Sequence, residues 1–132
     1  MTFYLASRYD NKFFLRGVRD KLSAMGHEVF SNWIDEKEPP NIQLDEVPVE
    51  KLQEYALQDI TEIEEVDAFV HFQSMNRPNI RGGALVEFGM AYIWGLEMII
   101  VGDRVNIFDF LPAVTCFPTV EEFLTWAEKE SA

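Results

Sequence analysis

The chain has 132 residues and a net charge of −12, the length of one domain with a surface that repels the phosphate backbone of a nucleic-acid duplex. Hydrophobic residues make up 48% of it, which suffices for a packed core and excludes a disordered chain. The lone Cys116 excludes an internal disulfide, and with His27 and His71 it gives no metal-ligand spacing.

The opening "MTFYLASRYD" reaches a charge too early for a signal peptide, and no apolar run is long enough to span a bilayer. A cytoplasmic protein with no membrane partner is expected. "TFYLA" (Thr2–Ala6) reads as a buried first strand. Asp10 is placed to cap a helix in which Phe14, Val18, Leu22 and Met25 recur at helical spacing and which Gly26 ends. "HEVFSNWI" (His27–Ile34) reads as a second strand. Asp35–Pro48 is acidic, holds three prolines and reads as a long loop, functional or mobile. Val49–Val66 reads as a second helix, Asp67–Phe72 as a third strand and Gln73–Gly83 as a polar turn. A third helix is expected over Ala84–Gly95, a fourth strand over Glu97–Gly102 and a helical turn within Asn106–Pro112. Ala113–Phe117 reads as a fifth strand and Thr119–Lys129 as a last amphipathic helix. No repeat or linker interrupts residues 1–132, so a single domain is expected. Strands alternating with helices predict a doubly wound, mainly parallel sheet of five strands. Ligands of such sheets sit beyond the carboxyl ends of the strands.

Two carboxylates stand in apolar places. On a wheel of about 100° per residue, Val49, Leu52, Tyr55, Ala56, Ile60, Ile63 and Val66 share one side of the second helix, with Asp59 near its middle. Glu54, Glu62 and Glu65 fall away from its centre, where solvent would keep them. Asp59 is therefore either buried with a structural partner or pointed into a pocket, because an unpaired buried carboxylate is costly. In "RGGALVEFGMAYIWG" (Arg81–Gly95), Glu87 is the only charge between Gly82 and Leu96. The helix is apolar nearly all round and is expected to be buried on most sides. Glu87 is either a helix-start carboxylate favoured by free amides or a functional group. Two carboxylates with different protonation beside one cleft suit chemistry at a glycosidic bond.

The chain resembles the nucleoside 2-deoxyribosyltransferase family, which includes related nucleotide N-glycosidases. The resemblance lies in "FYLASR" (Phe3–Arg8), "LQDITEIEEVDAFV" (Leu57–Val70), "GGALVEFGMAYIWG" (Gly82–Gly95), "IIVG" (Ile99–Gly102) and "NIFDFL" (Asn106–Leu111), in that order. It implies a flavodoxin-like, Rossmann-like three-layer α/β sandwich. It places the nucleophile at Glu87, the aspartate that contacts the base and assists its departure at Asp59, with Asp67 opening the next strand, and the tyrosine that holds the nucleophile at Tyr4. It places an asparagine supplied by a neighbouring subunit at Asn106, which implies a homo-oligomer with a shared site. It implies no cofactor and no metal. Where transferases carry an acidic base-reading residue, six positions before the nucleophile, this chain has Arg81. A cation cannot accept the hydrogen bonds an aspartate accepts. Either the base is read differently, or the ligand carries a negative group that Arg81 and Arg8 meet, as the loops of the nucleotide-hydrolysing relatives hold a 5′-phosphate. Ser7 and Gly83 lie in the matched stretches as further substrate-binding candidates. Trp33 and Phe30 are either base-stacking or core aromatics.

The resemblance thus implies an enzyme that passes a deoxyribosyl group from a 2′-deoxynucleoside, or its 5′-monophosphate, to another base. A hydrolase of the same fold, a non-catalytic nucleotide-binding module and a structural interaction protein are the alternatives.

Overall fold

A computed structural model describes residues 1–75 and 82–130. Among them, five strands form one parallel sheet in the order β2-β1-β3-β4-β5. The strands are β1 (Thr2–Ala6), β2 (Glu28–Val29), β3 (Ala68–Gln73), β4 (Glu97–Gly102) and β5 (Val114–Phe117). Four helices connect and flank them: α1 (Lys12–Ala24), α2 (Val49–Glu65), α3 (Gly83–Ile93) and α4 (Val120–Glu130). Helix α1 packs with α4, and α2 with α3, on the two faces of the sheet. No helix among the described residues is long and apolar enough to cross a membrane.

The central strands read as unbroken apolar runs because they are covered on both faces. Phe3 to Ala6, Ala68 to Phe72 and Met98 to Val101 are all buried. Alternation along β1 then sends neighbours to opposite layers. The Phe3 ring meets Phe123 of α4, with centroids 6.0 Å apart. Tyr4 points the other way, toward α3. Its ring stacks on its cross-strand partner Phe69 at 5.8 Å, and Phe69 meets Phe88 of α3 edge-on at 6.2 Å. This column of rings fixes α3 against β1.

The strand order reverses at β1 and β3. Loops leaving their carboxyl ends diverge there, which opens a crevice. Two glycines shape its surroundings. Gly82 has φ 79° and leads directly into α3, a conformation that glycine adopts without the strain a Cβ would bring. At Gly102 (φ 113°) a Cβ would sit 2.1 Å from the Gln73 carbonyl oxygen, so only glycine lets β3 and β4 stay paired to their ends.

Several elements differ from the sequence reading. The second strand stops at Val29 because Ser31 Oγ takes the Leu5 amide at 2.7 Å in place of a ladder bond, and Asn32–Asp35 turns into a 3₁₀ helix. Asp10 lies in a short 3₁₀ turn (Tyr9–Asn11), and Asn11 occupies the cap of α1. Phe14 is exposed, and Leu15 takes the core position beside Val18 and Leu22. On α2, Glu62 is buried: both its oxygens accept from the Asn32 amide, at 3.1 and 3.2 Å, so it terminates the chain that replaces the second strand. At the amino end of α2, Val49 and Ala56 are exposed. Helix α3 is not buried on most sides. Ala84, Phe88 and Ala91 face inward, while Leu85, Val86, Tyr92, Ile93 and the adjoining Trp94 are exposed.

Candidate functional site

The crevice holds a cavity of about 410 Å³. Strand β1 and its continuation supply Ser7 and Arg8, α2 supplies Asp59 and Tyr55, and the entry of α3 supplies Gly83, Ala84 and Glu87. The acidic loop after the Asn32–Asp35 turn closes the remaining side with Glu36, Glu38 and Ile42.

Glu87 answers to helix geometry. It lies three residues after Ala84 and four before Ala91, so it shares their inward stripe. It sits just past the first turn of α3, and its partner is a side chain. The Tyr4 hydroxyl donates to Glu87 Oε2 at 2.5 Å. Tyr4 is fully buried, so this bond is supported by the aromatic column behind it. Asp59 lines the same cavity from α2, and its Oδ1 is shut off from solvent with no hydrogen-bond partner among the described residues. The sequence reading of Asp59 as either structurally paired or pointed into a pocket thus resolves toward the pocket.

Electrostatics order the two groups. Burial pushes the Glu87 carboxyl up to about 7. The Tyr4 hydrogen bond pulls it back, and the charge of Glu62 adds to the rise. Burial raises Asp59 further, to about 8, with the charges of Glu87, Glu36 and Glu62 adding to it. Glu87 therefore ionises first, and its charge then helps to hold the proton on Asp59. The buried Tyr4 hydroxyl is raised well above its usual value by burial and by Glu87, so it stays a donor.

Trp33 is buried, donates its Nε1 to the Leu5 carbonyl at 2.8 Å and contributes a cavity wall. Phe30 is half-buried against the core and is not part of that wall. Asn106 does not reach this cavity. It caps the 3₁₀ turn Ile107–Phe110, accepting from the Phe108 amide at 2.9 Å, and lines a second cavity of about 470 Å³ on the other side of Ser7 and Arg8. His71, buried and lowered to about 4 by burial, lines that second cavity too. Arg81 lies outside the described residues. Among the described residues no three His, Cys, Asp or Glu side chains are grouped to hold a metal ion.

Some of the wall escaped the sequence reading. Glu36 is raised to about 7 by burial and by Glu38, against the Tyr9 hydroxyl and Lys12. Lys12 is buried, and its Nζ donates to the Tyr9 hydroxyl at 3.0 Å, to the Glu36 carbonyl at 2.8 Å and to the Glu38 carbonyl. It pins the acidic loop to α1 and so builds the far wall. Three prolines and an acidic composition marked the loop, but a lysine at a helix start carries no signal of burial.

No protein-family model and no curated protein sequence matches the chain. In fold it is similar to a 2-deoxyribosyltransferase from Bacillus psychrosaccharolyticus, with a TM-score of 0.73 and 18% identity over 94% of this chain and 90% of that one. It is also similar to the CMP N-glycosidase of Clostridium botulinum, with a TM-score of 0.60 and 16% identity over 96% of this chain and 97% of that one. The chain thus shares a single α/β sandwich fold with a deoxyribosyltransferase and an N-glycosidase over nearly its whole length.

Proposed function

We infer that the protein is a glycosyl-transfer enzyme that cleaves the N-glycosidic bond of a 2′-deoxynucleoside or its 5′-monophosphate. The observation that carries this reading is the carboxylate of Glu87, held by Tyr4 at 2.5 Å on a cavity that also receives Asp59. An oxygen of ionised Glu87 bonds to the anomeric carbon as the bond from that carbon to the base nitrogen breaks. The electron pair leaves with the base, and Asp59, protonated into the neutral range, donates to it. Positive charge that builds on the sugar ring is stabilised by the carboxylate. A second base then attacks the anomeric carbon, its N–H proton passes to Asp59, and the bond to Glu87 breaks, which releases the carboxylate. The fold likeness to a 2-deoxyribosyltransferase supports a second base as the acceptor. The likeness to a CMP N-glycosidase favours one alternative, in which water takes the place of the second base. Arg8 on the cavity wall supports a 5′-monophosphate in either case. No step calls for a metal or a cofactor.

The outward face of α3 supports a homo-oligomer. Ile93 is 79% exposed, and Val86, Leu85 and Trp94 lie open beside it. The 3₁₀ turn that follows Asn106 presents Ile107, 78% exposed, with Phe108 and Phe110. An apolar surface of this kind marks an interaction site, and a partner copy there is the route by which Asn106 would meet a site it does not reach within its own chain.

The test is incubation of the protein with 2′-deoxynucleosides and their 5′-monophosphates, with and without a second free base, followed by chromatography. Base exchange is expected. Release of base without exchange would assign the hydrolase, and no release from any substrate would overturn the catalytic reading.

A further inference from the structure

The hydrogen-bonding groups of the cavity that holds Glu87 and Asp59 are unequally matched. Its side-chain donors are engaged within the protein. Trp33 Nε1 donates to the Leu5 carbonyl, the Ser7 hydroxyl to the Phe72 carbonyl at 2.9 Å, and the Tyr55 hydroxyl to Glu38 Oε1 at 2.7 Å. The Tyr9 hydroxyl is hydrogen-bonded to Glu36. Behind the wall, the three ammonium donors of Lys12 meet Tyr9 and two loop carbonyls. Arg8 remains as a cation on the wall, 3.4 Å from Asp10. Acceptors, by contrast, are in surplus. Glu38 Oε2 and Asp59 Oδ1 are both shut off from solvent and have no partner among the described residues. The two groups differ in charge. Asp59 keeps its proton into the neutral range, whereas the Tyr55 hydrogen bond holds Glu38 below the usual carboxylate range. Glu38 lines the cavity with one oxygen unpartnered, so once its side chain turns toward the ligand it is an acceptor that a ligand N–H satisfies and a ligand carbonyl repels.

We propose that Glu38 makes the cavity selective for nucleosides whose base carries an exocyclic amine, against their keto counterparts. The proposal rests on the reading of the cavity as a nucleoside site. Cytosine presents an N4 amine where uracil presents a carbonyl oxygen, and adenine an N6 amine where hypoxanthine does. Both amino bases also carry ring nitrogens with free lone pairs, to which a protonated Asp59 donates. A keto base leaves the Glu38 acceptor unpaired and opposes it with a second acceptor. Loss of such a bond corresponds to roughly 10- to 100-fold in affinity or rate, and sites built to bond a substrate N–H discriminate in this direction.

The experiment measures kcat/KM for base release from deoxycytidine against deoxyuridine and from deoxyadenosine against deoxyinosine, in the wild type and in Glu38→Gln. The amino member of each pair should be favoured by about 10- to 100-fold in the wild type. The Tyr55 hydroxyl takes the single oxygen of glutamine, so the free position becomes a donor and the ratio should fall to one or invert in the variant. Equal rates within each pair, or a ratio unchanged by Glu38→Gln, would overturn the proposal and leave glycosyl transfer standing. A structural role for Glu38 lowers all four rates together and leaves the ratio intact, which also counts against it. Calorimetric binding of the same four nucleosides separates the other failure. Tighter binding of the amino members in the wild type but not in Glu38→Gln, with no base released, sustains the selectivity and overturns the catalytic reading.

Discussion

Replacement of Glu87 by glutamine removes the charge and keeps an acceptor for Tyr4, so it separates chemistry from packing. In the folded chain the Glu87 carboxyl is raised from 4.5 to about 7. A raised value means that folding favours the neutral acid. Its contribution is full below the unfolded value and is lost as the pH rises through about 7. At about 1.36 kcal/mol per pH unit, the gap from 4.5 to 7 corresponds to a penalty of about 3 kcal/mol at pH 9. Glutamine carries no such penalty. Denaturant unfolding should therefore find Glu87→Gln within about 1 kcal/mol of the wild type at pH 4 and more stable by up to about 3 kcal/mol at pH 9. Base release, followed by chromatography at neutral pH, should fall by about three orders of magnitude or more, with nucleoside binding changed only a few-fold. Glu87→Ala is the harsher variant. It also strips the buried Tyr4 hydroxyl of its partner, at about 1–3 kcal/mol, and so offsets much of the gain. A stability difference that is the same at both pH values, or turnover that persists in Glu87→Gln, would refute the reasoning.

The pH dependence of kcat/KM should be a narrow bell between about 7 and 8, since Glu87 must be ionised and Asp59 protonated. Tyr4→Phe removes a hydrogen bond that lowers the Glu87 value, so the acid limb of that profile should move to higher pH. Lys12→Met leaves two loop carbonyls and the Tyr9 hydroxyl without their donor. KM should rise by about tenfold while kcat changes less, and a chemical melt should show a loss of at least about 1–3 kcal/mol. Lysine at both Val86 and Ile93 should convert an oligomer to monomers in light scattering, with activity lost although the cavity residues are untouched.

The sheet was legible because its strands are covered on both faces. β1 and β4 run over the residues their apolar stretches mark, Thr2–Ala6 and Glu97–Gly102. The second strand was not legible in the same way. Its pattern is strand-like, but Ser31 and Glu62 satisfy the backbone around it through side chains, and no local pattern encodes partners so distant in sequence. Asp59 and Glu62 show both sides of the same limit. They lie one turn apart on α2, and a helical wheel ranks them by apolar neighbours. It drew Asp59 to the cavity and sent Glu62 to solvent. Glu62 is nevertheless buried, because the Asn32 amide outweighs its place on the wheel. The Tyr4–Glu87 contact was implied by resemblance alone, since it joins residues 83 positions apart. The walls supplied by Glu36 and Glu38 followed from no periodicity, because irregular chain has none.

Helix α3 explains why so apolar a segment keeps a glutamate. Its inward stripe is made of small residues, Ala84 and Ala91, beside Phe88. Those alanines let α3 lie close to the sheet, and Phe88 locks onto Phe69. Close approach is what brings Glu87 within a hydrogen bond of a tyrosine rooted in β1. The opposite stripe, Leu85, Val86 and Ile93, contributes nothing to this chain's own core. An apolar helix would ordinarily be read as doubly buried, yet in the chain by itself only one side is covered. If a second copy covers the other, the helix that carries Glu87 is held from both sides. The carboxylate would then gain rigidity and dryness from the assembly that the single chain does not supply. On this view the mutations at Val86 and Ile93 reach catalysis through the position of α3. They should lower kcat and leave the melting of the isolated chain almost unchanged, a combination that damage to the core would not give.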